Sequence, residues 1–221
     1  TAQWTANPYT VTFDKNDPAG PSVPGDPDPA SKVVTFDQQY GTLASVSCAG
    51  YSFDGWYTAS TGGVKVVATT TVSNASNHTL YAHWIINEYT ITFDGNGGST
   101  PAAITQNYNT AVTAPANPTR TGYTFANWLP AVPSAMPAGS ITCVAQWTAH
   151  TYTINYDKNS PFATGTTLSS SHTYDIAKNL TTNGYTRTGY SFTGWNTASD
   201  GTGDAYSNNQ SVTNLTPIDD A

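Results

Sequence analysis

Side chains able to do chemistry are few, and their spacing argues against an active site. Gly50-Tyr51-Ser52 and Gly189-Tyr190-Ser191 place a serine two residues after a glycine. That is half of a nucleophile elbow, whose second glycine must follow the serine by two residues so that a strained turn exposes the hydroxyl. Gly55 and Gly194 come one residue late, and the matching segment at Gly122 carries Thr124 instead. These serines are read as strand residues. Glu88 is the sole glutamate, and no repeated pair of carboxylates offers general acid–base catalysis. The expectation is that the protein is not an enzyme.

Metal and thiol chemistry fare no better. Neither His-Glu-x-x-His nor Cys-x-x-Cys occurs, which removes the common zinc and redox motifs. Asp14, Asn16 and Asp17, or Asp26 and Asp28, or the Asp200-Gly-Thr-Gly-Asp204 loop, could offer hard oxygens to calcium. The same residues are ordinary turn formers, so no cofactor is expected and calcium is the one candidate. Cys143 falls on the core side of a strand beside Trp147 and is read as a small buried hydrophobe. Cys48 lies in a connection of a different module, and no bridge between the two is expected. His83 and Tyr81 point away from the core and are read as solvated, while His78, His150 and His172 take turn, linker and strand positions. The Thr-x-Thr pairs occur once per module, too sparse for an ice-binding array. Sequons such as Asn74-Ala-Ser76 are what a chain rich in Asn and Thr carries by chance.

Composition narrows the partners. The 221 residues carry a formal net charge of −7 with only 10% charged side chains. That balance argues against nucleic acid or an anionic membrane surface. No apolar run is long enough to cross a bilayer. Aromatics reach 12%, with 6 Trp and 14 Tyr, which separates the chain from disordered sequences despite its Thr, Ser, Asn, Gly and Pro content. Thr1-Ala2-Gln3-Trp4 has no initiator Met, basic start or apolar stretch and reads like the interior of a protein.

The elements that position these residues repeat. Three segments open on a strand-like run: Tyr9 to Asp14, Tyr89 to Asp94 and Tyr152 to Asp157. Each then carries Gly-Tyr-x-Phe-x-(Gly/Asn)-Trp, at Gly50 to Trp56, Gly122 to Trp128 and Gly189 to Trp195. The first two close on a strand ending in Trp, at Leu80 to Trp84 and Cys143 to Trp147. Ala2-Gln3-Trp4 is the tail of the same closing strand. The chain therefore divides into 1–8, the end of a preceding repeat with its linker, and modules at 9–84, 89–147 and 152–221. Module one holds a Pro/Asp/Gly insertion from Asp14 to Pro29, and module three lacks its closing strand.

The blocks Pro118-Thr-Arg-Thr-Gly-Tyr-Thr-Phe-Ala-Asn-Trp128 and Thr79-Leu-Tyr-Ala-His-Trp84 resemble the Listeria–Bacteroides repeat, related to the B-repeat of internalin surface proteins. The resemblance spans nearly the whole chain. It implies small β-grasp-like modules carried in tandem on bacterial surface or secreted proteins, with no catalytic residues. Cys48 departs from it, standing where the other modules have Arg120 and Arg187.

Residue periodicity leads to a mainly β reading independently. Tyr9, Val11 and Phe13 alternate with Thr10 and Thr12, and Leu80, Ala82 and Trp84 alternate with Tyr81 and His83, as half-buried strands do. In the middle block Trp56 falls on the wrong parity relative to Tyr51 and Phe53. A β-bulge at Gly55, Asn127 and Gly194, with positive φ, would return the Trp to the core face. At most one short helix per module is expected, the best candidate being Asp175-Ile-Ala-Lys-Asn179 capped by Asp175. Modules of this size need large buried side chains. The predicted core is Trp56, Trp84, Trp128, Trp147 and Trp195 with Tyr9, Phe13, Tyr89, Phe93 and Tyr152.

Four residues join each closing Trp to the next opening Tyr: Thr5 to Pro8, Ile85 to Glu88 and Thr148 to Thr151. Such a join spans at most about 17 Å, so neighbours must nearly touch, and an elongated, semi-rigid array follows. The favoured function is a structural spacer or stalk of a bacterial cell-surface or secreted protein, with an adhesive role as its variant. The alternative is a module binding a glycan or host protein through exposed aromatics; the sequence names no binding residue. Neighbouring repeats are the expected partners, without nucleic acid or membrane insertion. A further expectation is head-to-tail self-association, the head strand of one chain filling the open edge of another. Chain ends set by design or proteolysis, with a frayed third module, are its competitor.

Overall fold

A computed structural model describes residues 1–18 and 20–216. Its elements are β-strands. The first module contains β1 (Pro8–Asp14), β2 (Ser31–Thr35), β3 (Tyr51–Tyr57), β4 (Lys65–Val66) and β5 (His78–Ile86). The second contains β6 (Glu88–Asp94), β7 (Ile104–Asn107), β8 (Tyr123–Leu129) and β9 (Ile141–Ala149). The third is built from short pairs: β10 (Thr151–Ile154), β11 (Thr164–Gly165), β12 (Ser170–Thr173), β13 (Lys178–Asn179), β14 (Tyr185–Thr186), β15 (Trp195–Asn196), β16 (Ala205–Tyr206) and β17 (Ser211–Val212). Contacts gather the chain into two compact units. One comprises Thr1–Thr92, Ala102–Ala114 and Val132–Thr142; the other Phe93–Pro101, Pro115–Ala131 and Cys143–Ala221.

In the first module the sheet order is β2-β1-β5-β3-β4. The closing strand β5 lies parallel to β1, with Phe13 beside Leu80, and antiparallel to β3, with Trp56 opposite Ala82. Alternation then decides what is buried. Val11, Phe13, Leu80 and Ala82 point inward and join Val34, Val66, Val72 and Trp56 in one core. The Trp56 ring packs on Phe13 at 4.7 Å, and its Nε1 donates to the Ala44 carbonyl at 2.9 Å, so the indole is buried without an unmet donor. The insertion is tied back by Gly25 N to Ser47 O, 2.9 Å, and by paired backbone bonds between Asp28 and Ser45.

The second module forms a four-stranded sheet ordered β7-β6-β9-β8. Phe93 meets Trp128 at 5.0 Å, and Phe125 lies between Trp128 and Trp147. In the third module β10 pairs with β12, β15 with β16 and β13 with β17 in separate two-stranded sheets. Tyr156 and Phe192 pack on Trp195 at 4.7 Å and 4.9 Å respectively. Residues 217–221, the last of the third module, lie outside the described residues.

The bulge is present in two modules, at a neighbouring residue. Register shifts between Phe53 and Gly55 and between Phe125 and Asn127, leaving Asp54 and Ala126 as the extra residues. Gly55 and Gly194 have the expected positive φ, 158° and 148°, whereas Asn127 is not among the positive-φ residues although its module carries the bulge. An extra residue suffices to restore parity, so positive φ at the residue before the Trp is not what returns the ring to the core.

The expected helical turn at Asp175–Asn179 is corrected. Asp175 has φ 61° and sits in a β-turn closed by Ile176 N to Thr173 O, 3.1 Å, and Lys178 and Asn179 then pair with β17. Five residues with a β-branched Ile cannot nucleate a helix against a waiting strand edge.

Candidate functional site

The largest repeated construction is the place where one module meets the next. At the first junction, Gly50 O accepts from Asn87 N at 3.0 Å, and Asn87 O accepts from Tyr108 N at 2.8 Å. At the second, Gly122 O accepts from His150 N at 2.8 Å, and His150 O accepts from Tyr174 N at 2.9 Å. The linker residue is thus held on both sides by backbone bonds. Tyr108 lies edge-on to Tyr51 at 5.8 Å and 81°, and Tyr174 to Tyr123 at 5.7 Å and 78°.

Glycine makes this approach possible. A Cβ at Gly50 would stand 2.2 Å from the Tyr108 ring, and one at Gly122 would stand 2.3 Å from Tyr174. Both glycines have φ near +80°, where a side chain is strained in any case. The aromatic plug is presented by a β-turn. Gln38 N bonds Thr35 O, Thr110 N bonds Asn107 O and Ile176 N bonds Thr173 O, each at 3.1 Å. The third turn residue has positive φ at Asp37, Asn109 and Asp175, which a type II turn demands and Asx tolerates. Phe36, Tyr108 and Tyr174 therefore hold equivalent turn positions, and the last two serve as plugs.

Side chains dress the two junctions differently. At the first, Tyr108 Oη and Ser22 Oγ share a hydrogen bond of 2.6 Å, and Ser52 donates to Asn87 Oδ1 at 2.6 Å. At the second, Tyr123 Oη donates to Asp175 Oδ2 at 2.6 Å, Asn214 Nδ2 donates to Asp175 Oδ1 at 2.6 Å, and Arg120 stands 3.9 Å from that carboxylate. The Arg120 guanidinium also lies over the Tyr123 ring at 3.8 Å. The Tyr123 hydrogen bond, then Asn214 and the Arg120 charge, hold Asp175 below the usual carboxylate range. The same hydrogen bond pushes the Tyr123 hydroxyl up.

A second repeated device fastens the closing strand. Asn16, Asn96 and Asn159 each receive a backbone turn from the preceding aspartate, with φ of 44–47°. Asn16 Nδ2 then donates to Ala82 O at 2.8 Å and Asn96 Nδ2 to Ala145 O at 3.0 Å, pinning β5 and β9. Beside them Trp84 Nε1 donates to Lys15 O and Trp147 Nε1 to Gly95 O, both at 3.0 Å. In module three Asn159 Nδ2 donates to Ser199 O, as Asn16 Nδ2 also does to the equivalent Ser60 O. There a groove of about 1320 Å³ is lined by Tyr156, Lys158, Asn159, Phe192 and Trp195. Trp195 Nε1 is buried with no hydrogen-bond partner.

The residues singled out for chemistry lie in structural settings. Trp56 and Trp128 are 2% and 8% exposed, and Trp84, Trp147 and Trp195 are half-buried. Phe13, Phe93 and Tyr152 are buried, while Tyr9 and Tyr89 are half-buried. Cys48 and Cys143 are free, buried thiols, pushed up by burial. His83 is not simply solvated: it stacks on Tyr57 at 3.9 Å and bonds Ala59 O at 3.0 Å. His172 is buried on β12 against Tyr152, its Nδ1 unpaired, and burial pushes its pKa down. Asp26 pairs with Lys15 at 3.1 Å, and Asp200 closes its own turn with Thr202. Among the described residues no group of three or more His, Cys, Asp or Glu side chains could hold a metal. No described helix is long and apolar enough to cross a membrane.

The plugs and the pinning asparagines escaped sequence reasoning. Their signal was an aromatic followed by Asx after each second strand, and Asp-x-Asn after each first strand.

Residues 9–83, 89–132 and 152–216 match the model of the Listeria-Bacteroides repeat domain. Over 225 aligned positions the chain is 31% identical to a protein of Evansella cellulosilytica whose name is that of a membrane protein, covering 93% of this chain and 31% of the relative. It is 43% identical over 108 residues to Internalin H of Listeria monocytogenes, covering 45% of this chain and 19% of the internalin. A second Evansella protein, named as a Gly-rich membrane protein, is 28% identical over 170 residues, 72% of this chain and 18% of its own. The chain thus spans less than a third of the length of each of these relatives. No solved structure matches it.

Proposed function

The chain belongs to the Listeria-Bacteroides repeat family, and from that premise we propose that it is a structural spacer of a bacterial cell-surface or secreted protein, acting outside the cell. The observation that carries this reading is the junction built twice on one plan. A linker residue bonded on both sides and an aromatic plug seated on a glycine make a join of fixed geometry. Fixed joins suit a segment that holds other parts of a protein at a distance, and a swivelling linker would not need a buried glycine at each one. The module itself reads as β-grasp-like, on the parallel pair β1–β5 flanked by antiparallel neighbours.

A catalytic role has no support in the arrangement of acids, histidines and thiols described above. Recognition of a glycan or host protein through the tryptophans repeated in the modules is disfavoured by the burial of Trp56 and Trp128. The spacer reading is tested by ¹⁵N relaxation of the whole chain. Modules flanking each junction should share one rotational correlation time, and independent tumbling across Asn87 or His150 would refute it. Binding on a glycan array that is lost on altering exposed aromatics would move the assignment to recognition.

A further inference from the structure

The Pro-rich insertion of the first module reaches the first junction at the place where the second junction has an arginine. Backbone bonds establish the correspondence. Tyr51 N bonds Cys48 O at 3.2 Å as Tyr123 N bonds Arg120 O at 3.1 Å. Gly25 N bonds Ser47 O at 2.9 Å as Ser99 N bonds Thr119 O at 2.8 Å. Cys48 therefore takes the place of Arg120. Between the pinning asparagine and the second of these bonds, module two has only Gly97-Gly98, whereas module one has the run from Asp17 to Pro24. That run carries Pro18, Pro21 and Pro24, each fixing φ at about −65°, so it is stiff before it docks.

We infer that this run is a strap that closes the first junction in place of the arginine, a conformational device belonging to one joint. At the second junction the Arg120 guanidinium has three contacts. Its Nη1 donates to Asn96 O at 3.1 Å, its Cζ lies over the Tyr123 ring at 3.8 Å, and its Nη2 faces Asp175 in the turn of the next module at 3.9 Å. The strap meets matching surroundings at the first junction. A Cβ on Gly20 would stand 2.7 Å from Tyr51 Oη, so the main chain lies against that tyrosine. Ser22 Oγ shares its 2.6 Å hydrogen bond with Tyr108 Oη, the plug of the next module. Cys48 Sγ donates to Ser22 O at 3.6 Å. Strap and arginine alike start from the opening turn, touch the tyrosine of their own module and reach the turn of the next.

The two clamps exclude one another. Cys48 is 7% exposed, with its sulfur against the strap backbone, and a guanidinium there would need the space that the strap fills. Without the strap, a cysteine is too short to bridge Tyr51 and Tyr108. The small residue at 48 and the long run after Asn16 are therefore one feature of the sequence. Together they mark a junction clamped by a segment of chain rather than by a side chain. Such a clamp can be lifted or cut while the glycine, the linker and the plug of the joint stay in place.

The inference rests on the reading of the junctions as fixed joins. It is tested by amide exchange of the full chain at Asn87, whose N–H bonds Gly50 O, with His150 as the internal control. Ser22→Ala should speed exchange at Asn87 by between about twofold and tenfold. Replacing residues 17–24 by Gly-Gly, the length found in module two, should speed it by about tenfold or more and leave His150 unchanged. Adding Cys48→Arg together with Asn109→Asp, at the turn position that Asp175 holds in the second junction, should restore slow exchange. Cys48→Arg in the strapped chain should instead speed it. Unchanged exchange at Asn87 after either alteration of the strap, or failure of the added pair to restore it, overturns the inference. Lost protection at the core amides of Phe13 and Leu80 on replacing the run overturns it too, because the run would then belong to the fold of the module. None of these outcomes touches the spacer reading, which falls instead on independent tumbling of modules in the unaltered chain.

Discussion

The first junction, at Gly50, Asn87 and Tyr108, and the second, at Gly122, His150 and Tyr174, share a backbone and differ in chemistry. Glycine φ, linker bonds and ring angles agree closely between them. Around that frame the first uses neutral hydroxyl and amide groups, whereas the second places a carboxylate between a tyrosine, an asparagine and an arginine. The difference teaches that geometry resides in the glycine, the turn and the plug. Polar decoration can change from one copy to the next while the join stays the same. This is expected if neutral and surface-charged hydrogen bonds each add little, while a glycine contact admits no substitute.

The largest effect would remove one side of the comparison. Trp56→Ala deletes a ring that is 2% exposed and sits between Phe13 and Phe53. A cost of about 3–5 kcal/mol is expected, enough to unfold a small module. Urea melts followed by NMR should show loss of first-junction signals while those of His150 and Tyr174 persist. Simultaneous loss at both would mean that the modules fold as one cooperative block.

Glycine substitutions come next and use the third module as control. Gly189→Ala carries only the strain of positive φ, about 1 kcal/mol, since nothing lies within 4 Å. Gly50→Ala and Gly122→Ala carry that strain and also displace a tyrosine ring, for about 1–3 kcal/mol more. Equal costs at all three, measured by chemical denaturation, would deny that the plugs depend on glycine. Smaller again is Tyr108→Phe, which removes the bond to Ser22 and should cost about 0.5–1.5 kcal/mol without moving the ring.

Much of this architecture was legible beforehand because it repeats and alternates. The opening and closing strands follow from period-two burial at Val11, Phe13, Leu80 and Ala82, and the repeat located the modules. The parity break at Trp56 revealed that a bulge was needed, but not which residue would be extra, since any single insertion before the Trp restores the face. The helical turn at Asp175 was misread for a related reason: Asp caps helices and also enters left-handed turns, and one residue cannot say which. The plugs were hidden because their meaning is intermodular. Tyr108 looks like any turn aromatic until Gly50, far away in sequence, is found beneath it.

The smallest predicted effect, and the most selective, is in pH. Asp175 is held below its ordinary value of 3.8 by the Tyr123 hydrogen bond first, then Asn214 and Arg120. A folded carboxylate with a depressed pKa contributes stability that is complete above its unfolded pKa and is lost as pH falls through the folded one. The second junction should therefore loosen as pH falls below about 4, while the first, whose cross-junction side-chain bonds join Ser22, Tyr108, Ser52 and Asn87, should not. His172 acts in a separate window. Burial depresses its pKa from 6.5, so its neutral form stabilises module three above that value and this contribution fades as pH falls through it. Amide exchange at His150 and Asn87 separates these effects, because each reports its own junction. Faster exchange at His150 alone below about pH 4, abolished by Asp175→Asn, is the expected pattern. Parallel acceleration at Asn87 would mean that acid acts on the modules at large, and the charged decoration would then have no junction-specific role.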